Sequence, residues 1–372
     1  MIIGFNADEI CERGTSVALL DYALGNEQLL GNRSIVFYNQ GARTNVAEAI
    51  ARFAAQVELV PYADHGNLHR LLLAGQVDAL YTIKGGGRDG VDFTDVPTMV
   101  HAVFPTWPSE IHGRSYVYVS PWLARFCRGH AGQSVPHIVH APHLTDDLRA
   151  ELGLSSAATV FGCYGGAPSF DIDFVKDQVI PQVLDQRQDI HFLFMNITPF
   201  IRHPRVFFLP GTTSVDAKTR FIATTDAMLH ARKRGETFGL ACAEFFAAGR
   251  KVITYALSRE KAHIDHLGAD ALLYRNPGEL KHILMSFDRT MRADPTAFLA
   301  AHTPHAVMAE FREKLIAPAL AADSQPLSLS GVPARMANTI YYMRRKGILP
   351  TPKAQQKPDC QHRADTVLRK AL

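Results

Sequence analysis

The sequence predicts an α/β protein made of two doubly wound, parallel-sheet domains that face each other across a cleft. Three observations carry this. The chain has 372 residues, too many for one ordinary core. Strand-like and helix-like segments alternate in two separate runs. Between the runs lies a polar segment at 141–156, where the domain boundary falls.

The first run opens with a strand at 2–6, a loop through Gly14 and helical periodicity over 16–30. A strand at 35–38, a helix near 46–55, a strand at 57–61, a helix near 68–74 and a strand at 79–83 follow. A less regular middle holds strand-like runs at 97–103, 116–120 and 138–139. Ligands of such sheets gather at the carboxyl ends of the strands, so the loops after Asn6, Ile83 and Val103 are expected on one rim. The second run has a strand at 159–162, a helix at 174–186, strands at 191–195 and 206–209, a helix at 215–223, and then the stretch 226–255. Residues 297–320 and 332–345 read as helical. The expected units are 1–145, 146–330, a helix within 331–350 packing back across the junction, and a tail at 351–372.

Composition narrows the function. With 47% hydrophobic and 20% charged residues the chain is that of a soluble globular protein. A net charge of +3 is too small to argue for nucleic acid, and the tail accounts for it with five basic and two acidic residues. That tail reads as a solvated extension, with weak peripheral contact to an anionic membrane surface left open. The five cysteines are scattered, with no CxxC and no metal-ligand spacing, which suits a reduced cytoplasmic protein, with the inner face of a membrane left open as its place. The first residues lack a basic region followed by an apolar one, and no apolar run approaches 18 residues.

The informative stretch is DAMLHARKRGETFGLACAEFFAAGRKVITY, residues 226–255. It reads as strand, polar loop, apolar helix, Gly stop at Gly249 and β-branched strand, one βαβ unit. Glu236 and Glu244 bracket the helix start and stand about 12 Å apart if the segment is fully helical. Between them, the free N–H groups of Phe238, Gly239 and Leu240 form a site for a phosphate anion. A ligand with hydroxyls at both ends and phosphate in the middle fits that layout, and a nucleotide sugar is one.

GETFGLACAE also resembles the E-x7-E signature of retaining GT-B glycosyltransferases, most closely family 4 of that classification. The resemblance spans residues 1–345 and is strong over 158–255. It implies a GT-B fold with two Rossmann-like domains, the donor held mainly by the second and the acceptor by the first. Glu236 would lie beside the transferred sugar, the backbone from Thr237 through Phe238, Gly239 and Leu240 would hold the diphosphate, and Glu244 would accept both ribose hydroxyls. The implied partners are a nucleotide-sugar donor and a hydroxyl acceptor, a glycan or glycolipid of surface polysaccharide assembly, with no cofactor and no metal. A nucleotide-sugar hydrolase or epimerase, and a binding subunit without catalysis, remain open on the same fold.

One departure stands out. Family members carry a Gly-Arg pair and then a Lys after the first strand of the second domain. Here Gly162 is followed by Cys163, Tyr164, Gly165 and Gly166, and the next Lys is Lys176. Arg232, Lys233 and Arg234 are the available substitutes, Arg232 first, to balance the charge of a leaving diphosphate. Gly165 joins the donor-binding set, as does Gly14 in the first loop. Lys84 opens KGGGRDG on the cleft rim, without the spacing of a P-loop, as a contact to donor or acceptor. The catalytic histidine of the first domain is divided between His101 in VPTMVHAVF and His112 in IHGRSYVYVS. Asp171 and Asp173 form a DxD string at a helix start, where acids suit the helix dipole, so metal-independent activity is expected. Asn196 and Thr212 follow consecutive strands and are expected to wall the nucleotide base, without distinguishing which base.

Overall fold

Two six-stranded parallel sheets dominate the computed structural model, which describes residues 1–353. The expected tail therefore lies outside the described residues from 354 onward. The first sheet contains β1 (Ile2–Ala7), β2 (Arg33–Asn39), β3 (Glu58–Tyr62), β4 (Ala79–Lys84), β5 (Thr98–Ala102) and β6 (Ser115–Tyr118), in the order β3-β2-β1-β4-β5-β6. The second contains β7 (Thr159–Tyr164), β8 (Ile190–Met195), β9 (Val206–Leu209), β10 (Ala227–His230), β12 (Lys251–Tyr255) and β14 (Ala271–Tyr274), in the order β14-β12-β10-β7-β8-β9. A two-stranded ribbon, β11 (Gly235–Glu236) with β13 (Glu260–Lys261), lies outside both. Strand order reverses at β1/β4 in one sheet and at β7/β10 in the other, and such switch points open a crevice at the carboxyl edge. The loops after β1, β4 and β5 share that edge of the first sheet.

Helices cover both faces, which is why central strands read as continuous apolar runs: every residue of β4 and β5 is buried. In the first half these are α1 (Gly14–Gln28), α2 (Ala47–Ala54), α3 (His65–Ala74) and α4 (Pro121–Arg128). The second carries α5 (Ile180–Gln186), α6 (Val215–Thr224), α7 (Leu240–Ala247), α8 (Ala262–Leu267), α9 (Pro277–Ser286) and α10 (Thr296–His302). Then come α11 (Pro304–Phe311), α12 (Ala317–Leu320) and α13 (Gly331–Arg345).

Three expectations change. The helix expected over 174–186 begins as a π-turn, Val175–Val179, and becomes α-helical at α5. Pro181 lacks the N–H needed to close a regular turn, and the same pairing recurs at Arg312–Ile316 before Pro318. Residues 138–139 form no strand; Val139 instead donates its N–H to His302. Residues 304–320, assigned by sequence to the second unit, pack on the first: Phe311 stacks on Phe5 and Tyr22 and contacts Tyr81. The chain thus returns to the first sheet near residue 304 rather than 331, because one face of that sheet needs an apolar cover. α13 extends the return, with Tyr341 against Trp107 and Phe126 and Asn338 bonded to Ser109.

Candidate functional site

Helix starts differ in how their first N–H groups are satisfied. Asp64, Ser120, Ser214, Asn276 and Thr303 each accept an N–H of the helix they precede. α7 has no such side chain, a trait it shares with α1, α2, α8, α10 and α13; it differs from them in having Glu236 just ahead of its first turn. Its N-cap is Gly239 at φ +89°, and its first intrahelical bond runs from Ala243 N–H to the Gly239 carbonyl. The free donors are therefore centred on Leu240, Ala241 and Cys242, two residues later than expected, because Phe238 and Gly239 bend the chain before the helix begins.

Phe238 is buried among the rings of His137, His266 and His302 and anchors that bend. The Thr237 carbonyl accepts from the Ser120 hydroxyl at 2.5 Å. Gly14 abuts Leu240; a Cβ there would come within 2.9 Å of the leucine side chain, so the first loop of one half touches the head of α7 in the other.

Glu236 stands just before this bend. Gly235 delivers it, at φ +75° and so close to the Glu260 carbonyl that a Cβ would lie 1.9 Å away. One Glu236 oxygen accepts from Arg232 Nη1 at 2.7 Å and lies 3.4 Å from His230 Nε2. His230 ends β10, and its Nδ1 is bonded to the Thr254 hydroxyl at 2.8 Å. Burial alone would favour the neutral acid, but the His230 hydrogen bond and the Arg232 charge outweigh it and bring Glu236 down to about 2. The carboxylate is ionised at neutral pH.

Glu244 lies one side of α7 further on, accepting from the Tyr164 hydroxyl, with Lys218 Nζ 3.7 Å away. Lys218 belongs to the first turn of α6 and lines a narrow cavity between the halves with Cys11, Glu12, Arg52, Thr212 and Thr213. Arg52 donates across this gap to the Thr213 carbonyl.

The remaining expected residues divide. Asn196, at φ +54°, donates to the Gly165 carbonyl at 2.8 Å, so these two are joined at the ends of neighbouring strands. Thr212 faces the cavity. Lys84 is buried and paired with Asp89 at 2.6 Å within its own loop. His101 is 0% exposed, bonded to Tyr81 and to the Val135 carbonyl, and burial brings it down to about 4. It is a core residue of the first sheet. His112 is also buried, with Nδ1 bonded to the Glu110 carbonyl and its ring edge-on to Tyr116. Neither ring reaches Glu236; His230 does.

Among the three basic substitutes only Arg232 is at the site. Lys233 is tied to Asp171 and Asp173, and Arg234 to Glu260 while its guanidinium covers Phe104 at 4.9 Å. Among the described residues no group of three or more His, Cys, Asp or Glu is arranged to hold a metal ion. Sequence reasoning missed His230, Tyr164 and Lys218. His230 could have been noticed as a polar residue closing an apolar strand, whereas nothing local marks the other two.

Two facing sheets of 3-2-1-4-5-6 topology, with a C-terminal helix returned to the first, define the GT-B fold. No protein-family model and no curated protein sequence matches the chain. Solved structures do. It is similar to HepE of Anabaena in complex with UDP and glucose, at 14% identity and a TM-score of 0.56, over 84% of this chain and 95% of that one. It is similar to a glycosyltransferase from Rickettsia africae at 10% identity and 0.58, over 94% and 99%. AviGT4, a glycosyltransferase involved in avilamycin A biosynthesis, aligns at 12% identity and 0.58, over 87% and 99%. At these identities the likeness is one of fold.

Proposed function

We propose that the protein is a retaining glycosyltransferase that moves a sugar from a nucleotide-diphosphate sugar to a hydroxyl of a glycan or glycolipid. The observation that carries the reading is the pairing of an ionised Glu236, held by Arg232 and His230, with the uncapped head of α7. Three free N–H groups and the positive helix end suit a diphosphate, and a carboxylate on either side suits the hydroxyls of sugar and ribose. HepE, crystallised with UDP and glucose and with UDP-glucose, lends the nucleotide-sugar assignment support through its shared fold.

In this reading Glu236 binds the transferred sugar and Glu244 the ribose. The Arg232 guanidinium and the Lys218 ammonium provide the positive charge that Cys163, buried and apolar in its setting, cannot. The leaving phosphate takes the acceptor proton on the face it departs from, and the protein contributes positioning and electrostatics. Asp171 and Asp173 hold the Lys233 loop, which fits activity that survives chelation.

A thermal-shift series across nucleotides and nucleotide sugars tests the donor, because a ligand of the folded state raises the melting temperature by mass action. Donor hydrolysis that a candidate acceptor accelerates supports transfer. Hydrolysis or epimerisation indifferent to every acceptor would favour the non-transferring enzyme, and no stabilisation by any nucleotide would sink both in favour of a subunit with another role.

A further inference from the structure

We propose that the outward face of α13 is a docking surface for an anionic lipid bilayer. The helix is fixed by its inner side. Ala334 and Tyr341 are buried, Asn338 bonds to Ser109, and Arg344 donates to the carbonyls of Arg125 and Phe126. This orientation leaves Val332, Met336 and Ile340, spaced i, i+4, i+8, exposed by 58, 62 and 40%. They form one stripe pointing to solvent. Ile348, 62% exposed, and Leu349 continue it past the helix end.

Charge selects the occupant. From Ser324 to Lys353 there is no acidic residue, while Arg335, Arg344, Arg345, Lys346 and Lys353 are basic. Arg335 and Lys346 lie along one border of the apolar stripe, as successive 100° steps around the helix place them. A second copy docked through the same face in a two-fold dimer would bring two acid-free cationic surfaces together, which is unfavourable. An anionic membrane surface neutralises them and receives the apolar stripe in its headgroup region, the arrangement of an interfacial amphipathic helix. No helix among the described residues is long and apolar enough to cross a membrane, so α13 would lie on the surface. The inference moves any membrane contact from the chain's end to a folded helix, and it does not rest on the proposed reaction.

Vesicle co-sedimentation of the full chain tests it, with vesicles of phosphatidylcholine alone and of phosphatidylcholine with about 30% phosphatidylglycerol. Binding is expected only to the anionic vesicles, weakening in high salt. Met336→Glu with Ile340→Glu should lower the bound-to-free ratio by about tenfold or more, as should Arg335→Glu with Lys346→Glu, each with an unchanged melting temperature. Equal binding by these variants, or none by the parent chain, would overturn the proposal. So would loss of binding on changing Lys357, Arg363, Arg369 and Lys370 to Gln while the helix variants still bind, which would assign the contact to the terminal residues. A concentration-dependent dimer that Met336→Glu dissolves, without vesicle binding, would give the face to a second copy.

Discussion

The two edges of the second sheet carry similar residues to opposite ends. At the carboxyl edge, helices begin: α7 presents unbonded N–H groups, and the charges gathered there are the carboxylates Glu236 and Glu244 with a basic partner each. At the amino edge, helices end, and a cavity of about 670 Å³ opens between Arg187, Arg289, Arg292, Asp189 and Asp226. It is the roomier hollow, yet its arginines are occupied. Arg187 donates to the Met285 carbonyl, Arg289 to the Ser156 carbonyl and Arg292 to the Arg289 carbonyl. Outside the cavity Arg205 donates to Leu184 and Arg250 to Ala223, both carbonyls near helix ends, while Arg149 pairs with Asp226 at 3.0 Å. Cations at helix C-termini satisfy orphan carbonyls and complement the dipole. Strand direction, and not cavity size, decides which edge is free to receive a ligand.

That contrast can be broken at either edge. The largest effect is expected at the amino edge: Asp226→Ala leaves Arg149 without its carboxylate and the Val160 N–H without its acceptor, and should lose about 3–5 kcal/mol in denaturant unfolding while donor affinity stays unchanged. A change in donor affinity at matched folding would erase the distinction between the edges. Next, Glu236→Gln should leave the fold intact and, on the proposed reaction, reduce turnover by about 100- to 1,000-fold, since that reaction needs its charge beside the transferred sugar. Full turnover in steady-state kinetics would move the reaction elsewhere. Glu244→Ala should weaken donor binding about 10- to 100-fold by calorimetric titration.

The smallest effect separates groups within the carboxyl edge and its surroundings. Burial lowers His101 to about 4 and His266 to about 3, so the unfolded chain takes up protons there first. Their contribution is complete above the ordinary histidine value and is lost as pH falls below it, by about 1.4 kcal/mol for each ring at about pH 5.5. Glu236, held to about 2, keeps its charge throughout this range. Unfolding midpoints measured between neutral pH and about pH 5 should therefore fall, and replacing His101 by Asn should flatten the decline.

Much of this was legible in the chain. Two runs of strand-helix alternation gave the two sheets, because buried parallel strands need apolar runs and their crossovers need helices. The places of Glu236 and Glu244 around the head of α7 were legible because one βαβ unit encodes them locally, and the place of Gly14 because it follows the first strand. The start of α7 was misplaced because Gly239 takes a left-handed conformation that spacing does not reveal. Lys218 and Tyr164 reach Glu244 from elements 26 and 80 residues away, a convergence only the folded sheet produces. His101 and Lys84 sat in suggestive motifs but found internal partners, Tyr81 and Asp89. Phe311 shows the same limit: an apolar helix face announces that it will be covered, not which sheet will cover it.

Ser120 gives the site a mechanical property. Its hydroxyl oxygen accepts from Leu123 at the start of α4 and donates to Thr237, one residue beyond Glu236. The segment from Gly235 to Gly239 is consequently a short tether, pinned to the second half by the β11–β13 ribbon and to the first half by the Ser120 oxygen and the packing of Phe238 on His137. Any swing that parts the two halves must release this catch or pull directly on the backbone beside Glu236. The force that opens the cleft and the force that disarranges the carboxylate are then the same force.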